Sequence, residues 1–280
     1  MYVSLHVFQL IVMTSQFKIL NGTEFWQKEN SFPAIPTFSQ SLDNVLGNKG
    51  IQVGSITELL GLPGSGKTQL CLQLCASVQI PTELGGLDAE ALYIDTNTNF
   101  TVNRFKEILS ASMEKCGKIL NTAKSNCESD HLKRLHYVNA FGLEKFCSLI
   151  YTLPQLVTER PNVRLIIIDS ITFPFKDGIT LKQRTGVLFR LSAVLHKISV
   201  ENQIAIVITN EMSTRIGLST GSLVGAFGDA WSHICNKRVL LSAPKPLENE
   251  RFAALVKSNN SPEAVGKFQI TIEGIRDING

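Results

Sequence analysis

At 280 residues, 44% of them apolar and 18% charged, the chain has the composition of a folded protein with one large core, which excludes an unfolded chain. A net charge of +3 permits a nucleic-acid partner without arguing for one. Its six cysteines form no C-x-x-C pair and no zinc spacing, and no apolar run reaches the length of a membrane span. Reduced, buried thiols and no membrane partner are therefore expected.

Residues 2–13 are largely apolar but lack a basic flank and a small-x-small cleavage site, so a signal peptide is not expected. Val3, Leu5 and Val7 alternate like a strand. Two readings stand for residues 1–20: a strand added to a sheet edge, or a dispensable extension with Met13 as a second start. Residues 21–54 read as a linker entering a domain, punctuated by Asn21-Gly22 and Pro33-Ala34-Ile35-Pro36. Within it Phe25 and Trp26 either anchor a neighbouring subunit or pack on their own domain. Ser39 to Gly47 reads as a short capped helix ending at glycine.

From residue 55 strands and helices alternate. The pattern predicts strands at 55–60, 91–95, 135–139, 164–169, 203–209, 237–242, 251–257 and 267–273. It predicts helices at 67–80, 102–120, 143–158 and 180–201. Early alternation implies parallel strands with right-handed crossovers, and the last three strands imply an antiparallel extension at one edge. Residues 112–134 are polar and read as an exposed connection.

Between the first strand and the first long helix lies Gly61-Leu62-Pro63-Gly64-Ser65-Gly66-Lys67-Thr68, a G-x-x-x-x-G-K-T phosphate loop in its required strand–helix context. Glycines let the backbone approach a triphosphate, and the helix N-terminus adds a partial positive charge. Lys67 is placed to reach the β- and γ-phosphates, and the Thr68 hydroxyl to ligate Mg²⁺. The run Arg164-Leu165-Ile166-Ile167-Ile168-Asp169 fits a central strand with a carboxylate at its tip, which would complete the metal site. Ala91 to Asn97 and Thr209-Asn210-Glu211 bring further polar tips to the same sheet edge, where open α/β sheets bind ligands.

These stretches resemble the RecA/RadA recombinase superfamily, and within it the eukaryotic recombinase paralogues of homologous recombination. Ser41 to Gly47, Ser55 to Glu58, Gly61 to Leu74, Leu92 to Phe100, Val163 to Ser170 and Ile208 to Asn210 carry the resemblance, which covers about residues 35–277. Gln79-Ile80-Pro81 with Gly85-Gly86, Phe173-Pro174-Phe175 and Lys257-Ser258 to Phe268 resemble the paralogue-C branch. The fold implied is α/β: a RecA-like P-loop ATPase core, with a central, mostly parallel twisted sheet and helices on both faces. Residues 1–38 form an extension and linker, and 39–280 the core. The separate helical domain that precedes the core in most of the family is not expected in so short a leader.

The resemblance implies that Gly61 to Thr68 and Gln69 bind ATP, that Thr68 and Asp169 hold Mg²⁺, and that Arg104 lies against adenine. Two DNA loops would fall at about 173–185 and 212–231. Lys176, Lys182 and Arg184 in the first, and Arg215 in the second, are the candidate phosphate contacts. A solvated basic helix start accounts equally for the first set. The family's water-activating glutamate is replaced by Asn97, which can orient water but not take its proton. Its phosphate-sensing glutamine is replaced by Glu211. Either nucleotide is bound structurally with little hydrolysis, or Glu211 has taken over the carboxylate role. The function implied is an ATP-binding paralogue that joins sister paralogues and the main recombinase and supports filaments on single-stranded DNA. Its setting would be nuclear break repair, often meiotic. A DNA-dependent ATPase driving strand exchange, and a RecA-fold ATPase unrelated to DNA, are the alternatives.

Overall fold

The computed structural model describes residues 19–47, 49–121, 128–176, 180–214, 223–245 and 248–278. It divides into a short N-terminal unit ending at Phe32 and a main unit from Pro33 to Gly280. Among its described residues the first unit holds one helix, α1 (Gly22–Ser31). That corrects the linker expected there. The sequence carries a capping box: the Asn21 side chain accepts from the Glu24 N–H at 2.9 Å, and the Glu24 carboxylate accepts from the Asn21 N–H at 3.0 Å. Phe25 and Trp26 are exposed on it.

The main unit opens with β1 (Ala34–Ile35), α2 (Gln40–Val45) and β2 (Ile51–Gln52), β1 and β2 pairing antiparallel. Ile35 and Thr37 are fully buried. Then follow β3 (Ile56–Leu60), α3 (Lys67–Ser77), β4 (Glu90–Asp95), α4 (Val102–Leu120), α5 (Glu128–Lys133), β5 (Leu135–Asn139), α6 (Leu143–Glu159) and β6 (Val163–Asp169). The second half holds α7 (Leu181–Asn202), β7 (Ala205–Asn210), β8 (Met212–Thr214), β9 (Leu223–Gly225), α8 (Gly228–Ser232), β10 (Lys237–Ser242), β11 (Glu250–Ser258), β12 (Ala264–Thr271) and β13 (Gly274–Arg276).

Among the described residues the main sheet has nine strands in the order β13-β12-β11-β10-β3-β7-β6-β4-β5. From β10 to β5 neighbouring strands run parallel, and β10 to β13 pair antiparallel. The chain is thus the α/β architecture expected, with the antiparallel extension at one edge.

Period-two side-chain alternation explains the two-sided core. Along β6, Leu165 and Ile167 face one layer, packed with Leu70, Leu74, Phe105 and Ile108 of α3 and α4. Ile166 and Ile168 face the other, packed with Phe146 and Ile150 of α6 and Leu191 and Leu195 of α7. Burying each such side chain contributes roughly 1.5–3 kcal/mol. α3 is buried nearly all round from Leu70 to Ser77. Its one large polar side chain there, Gln73, accepts from the Ile275 N–H at 3.0 Å and donates to Ser112 Oγ at 3.1 Å. The phosphate-loop helix is thereby tied to the last strand and to α4.

The polar stretch after residue 112 is not all exposed connection, because α4 continues to Leu120 and α5 follows. His131 on α5 is buried against Gln79, 3.2 Å from its side-chain oxygen.

Candidate nucleotide site

Strand register sets the site. Leu60 pairs with Asn210, Asp95 with Asp169, and Ile168 with Ile208, so the C-terminal tips of β3, β7, β6 and β4 end level. The phosphate loop leaves β3 at that edge and enters α3 through Gly66, the N-cap, at φ +102°. A Cβ there would meet the Ile270 side chain at 2.8 Å, and one at Gly61 would lie 2.5 Å from the Leu241 carbonyl. Both positions therefore require glycine. No side chain caps α3, which leaves its first N–H groups for an anion.

A cleft of about 480 Å³ lies over this edge. Pro63, Gly64, Gly66, Lys67, Thr68 and Gln69 form its floor, and Asn97, Asp169 and Glu211 stand on its walls. Gly61, Leu62 and Ser65 shape the loop without lining the cleft. The Lys67 ammonium folds back onto the carbonyls of Gly61 at 2.7 Å and Leu62 at 3.1 Å. Burial pulls its pKa below the usual lysine value, against the opposing charges of Asp169 and Glu211.

Asp169 is held by hydroxyls. Thr68 Oγ1 donates to its Oδ2 at 2.7 Å, the Tyr93 hydroxyl to Oδ2 at 2.7 Å, and Thr209 Oγ1 to Oδ1 at 2.6 Å. Burial and then the Asp169 charge push the Tyr93 phenol well up, so it stays a donor. Among the described residues no cluster of three or more His, Cys, Asp or Glu side chains could hold a metal alone. One hydroxyl and one carboxylate, Thr68 and Asp169, nonetheless fit the small protein share that would hold Mg²⁺ beside substrate phosphates and water. Ser170 Oγ, in the cleft wall, is a buried hydroxyl without a hydrogen-bond partner. Such an orphan fits a polar ligand in the cleft.

Asn97 is placed by Asp95, whose buried carboxylate accepts the N–H groups of Asn97 at 3.0 Å, Asn99 at 3.4 Å and Phe100 at 3.1 Å. Glu211 donates its N–H to Thr172 Oγ1 at 3.1 Å. Thr172 donates in turn to Asn210 Oδ1 at 2.8 Å, and Asn210 Nδ2 donates to Glu58 Oε1 at 2.6 Å. Glu58, fully buried in β3, also accepts from Trp231 Nε1 at 2.8 Å and from Arg238. A polar chain thus runs from the cleft wall to α8 and β10.

Arg104 does not line the cleft. Its guanidinium is fixed beside it, donating to Gln69 Oε1 at 2.8 Å, to Glu107 at 2.7 Å and to the carbonyls of Thr271 and Ile272 at 2.6 Å each. Of the candidate DNA contacts, Lys176 lies 3.2 Å from the Glu211 carboxylate and 4.9 Å from the Phe173 ring centre. Arg184 lies 5.3 Å from the Phe227 ring centre, and Lys182 is exposed. Arg215 lies outside the described residues, as do residues 1–18. Sequence reasoning missed Tyr93, Asn249, Arg251 and Ile270. The last three line the cleft from the antiparallel extension.

The family model described as Rad51 matches residues 28–278. The chain is 34% identical over 273 residues to the DNA repair protein RAD51 homolog 3 of Cricetulus griseus, covering 93% of this chain and 73% of that protein. It is 32% identical over 253 residues to the protein of the same description from Dictyostelium discoideum, covering 87% and 65%. It is 31% identical over 259 residues to the DNA repair and recombination protein RadA of Metallosphaera sedula, covering 91% and 75%. The chain thus spans 65–75% of the length of these relatives. Among the described residues no helix is long and apolar enough to cross a membrane.

Proposed function

The chain belongs to the Rad51 family, and from that premise we propose that it binds ATP with Mg²⁺ as a recombinase paralogue in homologous recombination and double-strand break repair. It works as a subunit of a paralogue complex, beside the main recombinase, assisting filaments on single-stranded DNA in the nucleus, at meiotic breaks included. The observation that carries this is the junction of phosphate loop and β6: Thr68 and Asp169 in contact beneath a cleft floored by the α3 N-terminus.

In this reading the loop N–H groups and Lys67 hold the phosphates, while Thr68 and Asp169 hold Mg²⁺. The metal, when bound, neutralises phosphate charge. Asn97 stands in the cleft wall as an amide, so it can orient a water without accepting its proton. Nucleotide then serves assembly more than turnover, and DNA contact is shared across the complex. One observation favours a second reading, an active DNA-dependent ATPase: the Glu211 carboxylate lines the same cleft.

ATP binding and phosphate release by the chain with its co-purifying partners separate the two, with and without single-stranded DNA and against Lys67→Ala. Tight binding with turnover no higher than the Lys67→Ala background supports the assembly role. DNA-stimulated turnover that Lys67→Ala abolishes supports the active enzyme. Wild-type ATP affinity in Lys67→Ala would sink both.

A further inference from the structure

We infer that Arg251 is a phosphate-binding residue of the nucleotide cleft, supplied by the antiparallel extension of the same chain. The inference rests on the nucleotide reading above and adds a cation that no motif marks. Arg251 is the second residue of β11 and lines the same cleft as Asp169 and Glu211. Lys67 and Arg251 are the cations of that lining.

Its surroundings aim the charge without cancelling it. Nε donates to the Gly64 carbonyl of the phosphate loop at 3.2 Å, and Nη1 donates to the carbonyls of Glu250 at 2.8 Å and Glu248. All three acceptors are neutral. Arg104, Arg238 and Arg276, by contrast, each face a carboxylate, those of Glu107, Glu58 and Glu273. Three backbone carbonyls fix the plane of the Arg251 fork beside the loop.

The placement is close. A Cβ on Gly66 would lie 2.8 Å from Ile270 Cδ1 and 3.9 Å from Arg251 Cγ, so β11 and β12 rest directly on the α3 N-cap. A polyphosphate laid along the loop would share the cleft with two carboxylates, Asp169 and Glu211. A guanidinium in the same lining offsets that repulsion, and the two Nη2 N–H groups, which no carbonyl takes, remain to donate to phosphate oxygens.

The test titrates the full chain with a fluorescent ATP analogue and Mg²⁺ at low and high salt, comparing wild type, Lys67→Ala, Arg251→Ala, Arg251→Gln and Arg251→Lys, with Tm as the folding control. Arg251→Ala and Arg251→Gln are expected to raise Kd about tenfold or more and to flatten the salt dependence. Arg251→Lys is expected to recover part of both. Should Arg251→Ala fail to fold, Arg251→Gln, which keeps much of the stem without the charge, gives the same reading. Binding within twofold of wild type, with Lys67→Ala defective, overturns the inference and leaves the nucleotide reading standing. A weaker Kd with an unchanged salt slope and a lowered Tm marks a purely structural role and also overturns it. Normal binding by Lys67→Ala removes the nucleotide reading and the inference together.

Discussion

Glu211 and Lys176 form an ion pair at 3.2 Å, and Glu211 at the same time lines the nucleotide cleft. Its carboxylate, 35% exposed, is therefore shared between a cation on the segment after β6 and whatever charge enters the cleft. As a partly exposed pair it adds little to stability, on the order of 0–1 kcal/mol. Its effect should show in binding.

Glu211→Gln is expected to tighten ATP binding several-fold, because a negative charge facing the phosphates is gone. Lys176→Ala is expected to weaken it, because Glu211 loses its screen. Calorimetric titration of both variants reads the signs. Shifts in the same direction would show that the pair does not modulate the cleft's charge.

Asn97→Glu restores a proton acceptor at a position that Asp95 already fixes through three backbone N–H groups. A positioned general base contributes roughly 10²–10⁴-fold. Phosphate release is therefore expected to rise at least tenfold over wild type, and Lys67→Ala in the same background should abolish the gain. Unchanged turnover would mean that what limits hydrolysis lies elsewhere.

Glu58 is the buried hub joining Asn210, Trp231 and Arg238. Glu58→Ala leaves Arg238, itself only 16% exposed, without its counter-charge. Breaking a buried pair on one side costs about 3–5 kcal/mol. Urea unfolding should show that loss, and Glu58→Gln combined with Arg238→Met, which keeps an acceptor for Asn210 and Trp231, should recover most of it. A loss below about 1 kcal/mol would show Arg238 able to reach water.

Asp277 ties the chain's end to the start of α2, accepting from Ser39 Oγ at 2.6 Å and from the N–H groups of Gln40 at 2.9 Å and Ser41 at 3.1 Å. Burial raises its pKa, but these donors outweigh it and the net shift is below the ordinary 3.8. A depressed folded pKa stabilises above the unfolded value and loses that contribution as pH falls through the folded one. Unfolding midpoints from about pH 6 down to pH 2 should therefore drop below pH 4 for wild type, and less steeply for Asp277→Asn. Parallel curves would remove Asp277 from the acid response.

The parts legible in the sequence were those with a period or a motif. Gly61 to Thr68 and the run ending in Asp169 announce themselves, and the register of β3, β4, β6 and β7 brings them together. Tyr93 was hidden because it sits inside the apolar run Ala91 to Ile94. Strand alternation alone turns it, with Asp95, to the α3 face, where its hydroxyl finds Asp169. Arg251 was hidden because its strand follows the phosphate loop by most of the chain and carries no local sign of where it folds back. β1, β2, β8 and β9 are two or three residues long, too short for any period. The helix α1 could have been read: Asn21-x-x-Glu24 is a start signal that the neighbouring Asn21-Gly22 turn pattern obscured.

The strand order also has a consequence for synthesis. β3, which delivers the phosphate loop, lies between β7 and β10. As the chain leaves the ribosome, β3 emerges early and has neither neighbour until residues 205–210 and then 237–242 have been made. The floor and the Asp169 carboxylate exist long before the wall carrying Arg251. A product terminated before residue 237 keeps every recognisable nucleotide motif and still exposes one edge of a strand that the whole fold buries along its length. Such a fragment is an aggregation template rather than a weakened form of the whole fold, and its fate belongs to chaperones and proteases.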